Sequence, residues 1–199
     1  MIPTIIDLLR HGEAEGGACY RGSTDDPLTE HGRLQMNHAV AGSAEWTQVV
    51  SSPLSRCRDF AETFSRERNL PLNIEPRLQE IHFGDWEGKN ADEIGRLWPL
   101  ALDRFYQNPA IYPPPNGENF TEFKQRIQDA WSDITAAHRG SRLLIITHAG
   151  VIRTLFSLLL NIKVQDCYHI QLNHGCLSRF QIYHSESSDF VQLISHRQL

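Results

Sequence analysis

Arg10 and His11 stand side by side, directly after the apolar run at residues 2–9 and directly before Gly12. Arg56 lies shortly beyond a β-branched run at 47–51, and His148 directly beyond another apolar run at 143–147. These residue types handle phosphate. A guanidinium is permanently charged, and its planar fork binds phosphate oxygens in pairs. A neutral imidazole can act as a nucleophile near neutral pH. Two forks and two imidazoles are enough to surround a tetrahedral phosphoryl group. The pattern points to a phosphate site and by itself leaves open which group reacts.

The elements that must position these residues follow from periodicity. The runs at 2–9, 47–51 and 143–147 (the last LLIIT) read as buried strands, the last of the kind covered on both faces. Each is followed by a helical signal. Ser52-Pro53 reads as an N-cap with proline at the first helical position, ahead of Leu54, Cys57, Ala61 and Phe64 at helical spacing. Asn119 and Glu122 read as a capping-box variant. They open an amphipathic helix of roughly four turns carrying Phe120, Phe123, Ile127, Ala130, Trp131 and Ile134. Near the C-terminus, SRFQIY and DFVQLIS alternate as an antiparallel hairpin does. The expected fold is a three-layer α/β sandwich: a mostly parallel central sheet, helices on both faces, and an antiparallel edge hairpin. In such sheets ligands bind beyond the carboxyl ends of the strands, where helix N-termini offer N–H groups to anions. Arg10, His11, Arg56 and His148 all fall at that edge.

Composition bounds the rest. A chain of 199 residues with 40% hydrophobic and 22% charged residues fits one globular domain over 1–199 that needs no disulfide or metal to hold its core. Lys plus Arg number 19 against 24 Asp plus Glu, a net charge of -5, so no general basic footprint for nucleic acid exists. The balance suits a small phosphomonoester taken into a local cationic cleft and disfavours long polyanions. The N-terminal MIPTIIDLLR carries Asp7 early and lacks a basic region and a cleavage site, so it does not read as a secretory signal. The apolar runs are far shorter than the roughly 20 residues of a membrane span. Four cysteines without a CxxC pair read as reduced thiols, and the expected compartment is the cytoplasm. The prolines at 113–115 read as a loop. Cys167-x-His169 and His174-x-Cys176 offer a zinc-type ligand set if each pair shares a strand face, but the spacing matches no common zinc motif, and no metal is expected.

Six blocks are more specific: LLRHGEA, YRGSTDDPLTEHG, SSPLSRCR, LQEIHFGDWEG, PPPNGE and THAGVIR, in that order between residues 6 and 153. Together they resemble the histidine phosphatase superfamily, which includes phosphoglycerate mutases and many phosphatases. The combination of YRG-x-TD-x-PLTE with EIHFGDWEG looks most like the α-ribazole phosphatase branch of cobalamin biosynthesis. The resemblance implies a phosphoglycerate mutase-like fold and a metal-independent phosphomonoesterase without cofactor. It implies His11 as the nucleophile that becomes a phosphohistidine. Arg10, Arg56 and His148 would hold the non-bridging oxygens, and Glu80 would serve as general acid and then base. Arg21 and Glu13 are either substrate contacts or loop-fixing residues, and Gly22 is first a backbone requirement. The implied partners are a small phosphomonoester, α-ribazole 5′-phosphate, and inorganic phosphate, with a monomer or homodimer. Departures are modest: Ala14 replaces a usual threonine, a Trp-Asn pair is missing before Arg21-Gly22, Phe60 replaces a threonine, and Asn119 replaces a serine. None removes a catalytic atom.

Alternatives share parts of this set. A broad-specificity acid phosphatase shares all five catalytic residues. A phosphoglycerate mutase is disfavoured by the short, Pro-rich stretch from 88 to 120, and a non-catalytic phosphate-binding module has no need of Glu80 or His11. Trp86 reads as core packing; Tyr20, Phe83 and Phe105 read as packing or as an apolar wall for a nucleoside-like base.

Overall fold

Strand β4 (Arg142–Thr147) sends Leu143 and Ile145 into one apolar layer and Leu144 and Ile146 into another. Side chains alternate faces along a strand, so an unbroken apolar run demands cover on both sides. All four are fully buried, each worth roughly 2 kcal/mol. In this computed structural model, which describes residues 2–42, 45–186 and 188–198, β4 is the sheet's centre. Strand β1 (Thr4–Arg10) runs parallel beside it, and β2 (Gln48–Ser51) runs parallel on its other side with β3 (Leu72–Ile74) outermost. Strand β5 (Leu177–Tyr183) pairs antiparallel with β1, and β6 (Phe190–Arg197) antiparallel with β5. The order is β3-β2-β4-β1-β5-β6, a parallel sheet with an antiparallel hairpin at one edge, as the sequence pattern predicts.

Helices α5 (Phe120–Ala137) and α6 (Ala149–Leu160) cover one face with Phe123, Ile127, Val151 and Leu155. Helices α1 (Glu30–Val40) and α2 (Ser55–Arg68) cover the other with Met36, Val40, Phe60 and Phe64. In β1 Asp7 is fully buried, where Arg179 holds both its oxygens at 2.8 Å and Trp46 Nε1 donates at 2.8 Å. A buried carboxylate survives only with such partners.

Three local expectations, on the start of α2, on α5 and on the Cys167-x-His169 pair, are corrected. Helix α2 begins at Ser55 with Leu54 at the N-cap and no side-chain cap, because the Ser52 hydroxyl bonds His148 at 2.6 Å. Helix α5 runs 18 residues, and Asn119 accepts from Thr121 N at 2.8 Å rather than closing a box with Glu122. The stretch from 88 to 120 folds into two short helices, α3 (Ala91–Leu97) and α4 (Ala101–Gln107), the first opened by a reciprocal Asn90–Glu93 capping box. Cys167 and His169 lie on a 3₁₀ turn (Asp166–His169), not on a strand. Among the described residues no helix is long and apolar enough to cross a membrane.

Candidate active site

Register brings the site together. Arg10 pairs with Thr147, so His11 and His148 are the next residues out of two adjacent strands. His11 N donates to Thr147 O at 2.9 Å, and Ser52 N to Ile146 O at 3.0 Å. Three strand ends are thereby aligned, and the His11 and His148 rings meet edge to face with centroids 5.2 Å apart.

His11 is almost fully buried, and its Nδ1 lies 2.7 Å from Gly12 O. A carbonyl only accepts, so Nδ1 carries the proton and Nε2 keeps its lone pair. Burial, then the charges of Arg10 and Arg56, hold the His11 pKa well below 6.5, so the ring is neutral. His148 is fully buried and likewise held neutral, by burial first and by Arg56 and His11 next.

Arg56 is buried along its length. Its Nη1 donates to Thr24 O at 2.6 Å, Nη2 to Gly22 O at 2.7 Å and Nε to His148 Nδ1 at 3.3 Å. Arg10 donates through Nη1 to Leu172 O, while its buried Nε has no partner among the described residues. Desolvation lowers the Arg10 pKa to about 10, which leaves it charged at neutral pH.

Glu80 follows a 3₁₀ turn (Pro76–Leu78) and is buried. Its Oε1 accepts from Ile81 N and its Oε2 from Gly150 N, each at 3.0 Å. The second bond ties the carboxyl group to the first turn of α6. A Cβ at position 150 would overlap that carboxylate, so a larger residue there would displace Glu80.

Arg10, His11, Arg56 and Glu80 line one cavity of about 270 Å³, with Glu80 the single acidic residue in its described wall. His148 stands behind that wall, both ring nitrogens engaged by Arg56 and Ser52. Arg21 and Gly22 also reach the cavity. Arg21 is tied to its own loop, paired with Asp26 at 3.1 Å and donating to Ala14 O and Glu15 O. Gly22 has φ +54°, a Cβ there would overlap Glu87, and its carbonyl serves Arg56. Glu13 is exposed and lines a neighbouring cavity instead. Tyr20, Phe83 and Phe105 do both things asked of them: they pack with Trp86 and they line the main cavity.

The zinc-type set does not assemble: among the described residues no three His, Cys, Asp or Glu are grouped to hold a metal. His174 instead lies 5.6 Å from the His11 ring, its pKa lowered to about 4, chiefly by burial. Three supporting residues escaped the sequence reading. Ser52 was masked by its cap-like context. Glu87 accepts from Ser23 N, Thr24 N and Phe83 N, fixing the 22–24 loop; its signal was the EG of the FGDWEG block. Arg126 donates to the carbonyls of Arg77, Gln79 and Glu80, and nothing in the local sequence marks it.

The profile of the histidine phosphatase superfamily (branch 1) matches residues 6–192. The adenosylcobalamin/alpha-ribazole phosphatase of Salmonella typhimurium is 31% identical over 179 residues, 88% of this chain and 89% of that protein. A probable phosphoglycerate mutase of Photorhabdus laumondii is 29% identical over 184 residues, 90% of this chain and 86% of its own. Among solved structures, YhfR of Bacillus stearothermophilus, 31% identical, superposes with a TM-score of 0.82 over 96% of each chain. With the profile covering nearly its whole length, the chain belongs to the histidine phosphatase superfamily and is a phosphatase with the phosphoglycerate mutase-like α/β fold.

Proposed function

We propose that this phosphatase hydrolyses α-ribazole 5′-phosphate in two steps through a phosphohistidine on His11. One observation carries the mechanism: the Nδ1–H bond to Gly12 O leaves the His11 Nε2 lone pair available in a ring kept neutral by burial. In the first step Nε2 attacks phosphorus, the bond from phosphorus to the leaving oxygen breaks, and Glu80 gives that oxygen its proton. In the second, Glu80 takes a proton from water, the water oxygen attacks phosphorus, and the P–N bond breaks to release inorganic phosphate and free His11. Splitting transfer in two eases each step. Arg10 and Arg56 supply fixed positive charge to the phosphoryl oxygens, so no step is assigned to a metal. Arg56 and Ser52 engage both nitrogens of His148, whose ring packs against His11 behind the phosphoryl site. Arg21, Gly22 and Glu13 enter as supports of the loop beside the substrate.

The substrate reading is supported by the Salmonella relative and by the aromatic side of the cavity, where Tyr20, Phe83 and Phe105 offer an apolar surface to a base. A cytoplasmic location is supported by four free thiols, and exclusion of nucleic acid by the net charge of -5. The test is kcat/KM on α-ribazole 5′-phosphate, 3-phosphoglycerate, nucleoside monophosphates and phosphopeptides, with His11→Ala as control. A preference for the first above about tenfold is expected, and a smaller one supports a broad-specificity phosphatase. Wild-type turnover by His11→Ala overturns the covalent mechanism.

A further inference from the structure

One charged side chain in the cavity has no place in that mechanism. Arg153 lines the same cavity as Arg10 and Glu80, and its guanidinium lies over the Tyr168 ring, 5.1 Å from the centroid. Its Nε is buried and has no hydrogen-bond partner among the described residues. Burying a guanidinium donor without an acceptor is unfavourable, and a fork of donors can be satisfied only by an acceptor atom. Its position relative to Glu80 is set by α6: Gly150, which holds the Glu80 carboxylate, precedes Arg153 by one helical turn, so the two share a face. The group that leaves past Glu80 therefore leaves toward Arg153.

The surroundings narrow what that group is. Tyr168 packs edge-on against Tyr106 with centroids 4.8 Å apart, and Phe105 contacts both Phe83 and Tyr168. The Tyr20 and Tyr106 hydroxyls bond each other, which spends one of their two protons. This end of the cavity offers ring faces and edges, the unspent Arg153 guanidinium and, next to it on α6, the Thr154 hydroxyl, unpartnered among the described residues. A small carboxylate could take the guanidinium but would leave the ring faces of Tyr168, Phe83 and Phe105 uncovered. A planar ring carrying a single in-plane acceptor is well served, by aromatic packing and one charge-assisted bond.

We propose that Arg153 is the specificity-determining residue for the leaving group, donating to an acceptor atom of an aromatic heterocycle packed against Tyr168, Phe83 and Phe105. This rests on the phosphomonoesterase reading above and specifies which half of the substrate the enzyme reads. The test compares wild type, Arg153→Met and Arg153→Lys on three substrates: α-ribazole 5′-phosphate, phenyl phosphate (a ring without a second acceptor) and 3-phosphoglycerate (a carboxylate without a ring). Arg153→Met should lower kcat/KM on α-ribazole 5′-phosphate by roughly 10- to 100-fold, since a bond to a charged donor is lost. Phenyl phosphate should change by less than about threefold, and inhibition by inorganic phosphate should stay at the wild-type level, which also reports an intact fold. Arg153→Lys should recover part of the loss. Equal losses on all substrates, weakened phosphate inhibition or no loss at all would overturn the assignment. A loss confined to 3-phosphoglycerate would show a carboxylate reader and overturn it too. If the wild type does not prefer α-ribazole 5′-phosphate, yet Arg153→Met still penalises nucleoside monophosphates over phenyl phosphate, the substrate reading fails while the role of Arg153 stands.

Discussion

Arg56 dictates the tautomer of His148. Its Nε donates to Nδ1 at 3.3 Å, and a guanidinium cannot accept, so Nδ1 holds the lone pair and Nε2 the proton, which goes to Ser52 Oγ at 2.6 Å. The same guanidinium holds the carbonyls of Gly22 and Thr24. A single buried cation thus orients an imidazole and anchors a loop, two tasks that lysine's single ammonium point could not combine.

Ser52→Ala isolates that relationship. It removes the acceptor of a buried N–H and should lower the unfolding free energy by about 1–3 kcal/mol. The His148 tautomer should persist, because Arg56 still donates to Nδ1. Urea unfolding and imidazole ¹⁵N shifts check both; a switched tautomer would mean that Ser52, not Arg56, sets it.

Glu80 can be disabled from two sides. Glu80→Gln removes the proton, and Gly150→Ala drives a methyl into the carboxylate. Both should lower kcat/KM on a poor leaving group by about 10²–10⁴-fold. Both should have little effect on kcat/KM for 4-nitrophenyl phosphate, which reads only the steps up to loss of a leaving oxygen that needs no proton. Its kcat should fall, because Glu80 is also the base of the second step. Equal losses of kcat/KM on the two substrates would count against the acid role.

The histidines set the acid side of the pH response. His11 and His148 have folded pKa values well below 6.5, and His174 about 4. The unfolded chain, titrating near 6.5, then binds more protons in acid. Their contribution to stability is complete above about pH 6.5 and is lost as pH falls through 6.5 toward the folded values. The nucleophile, already neutral, should show no NMR inflection near 6.5 in the folded protein. A His11 titration midpoint near 6.5 would contradict the proposed electrostatics.

Asp7 tests the frame that carries Arg10. Arg179→Met should leave a fully buried carboxylate with Trp46 as its remaining side-chain donor, at a cost of about 3 kcal/mol in denaturant unfolding. Turnover by the folded fraction should be unchanged, since neither residue reaches the cavity.

Much of this was legible along the chain. The apolar runs ending at Arg10, Ser51 and Thr147 had to be strands, and a residue directly after a buried strand has to emerge at the sheet edge. That is why His11 and His148 could be placed together from sequence. Less local features were not legible. Ser52 beside a proline looks like a helix cap, and only the partner strand's register shows the imidazole that donates to its hydroxyl oxygen. Arg126 acts across 46 residues on the Glu80 carbonyl, and no pattern within a window reports such a pair. Helices α3 and α4 were hidden by their length and by prolines nearby.

The sequence by itself determined residue types, their order and their positions at strand ends, because hydrophobic periodicity and hydrogen-bonding chemistry are local properties. The tertiary structure alone decided which nitrogen of each histidine carries the proton, which oxygen of Glu80 meets α6, and that Arg153 faces the cavity without an acceptor. Those outcomes depend on partners far apart in the chain, and hydrogen-bond direction exists only once donor and acceptor are brought within about 3 Å.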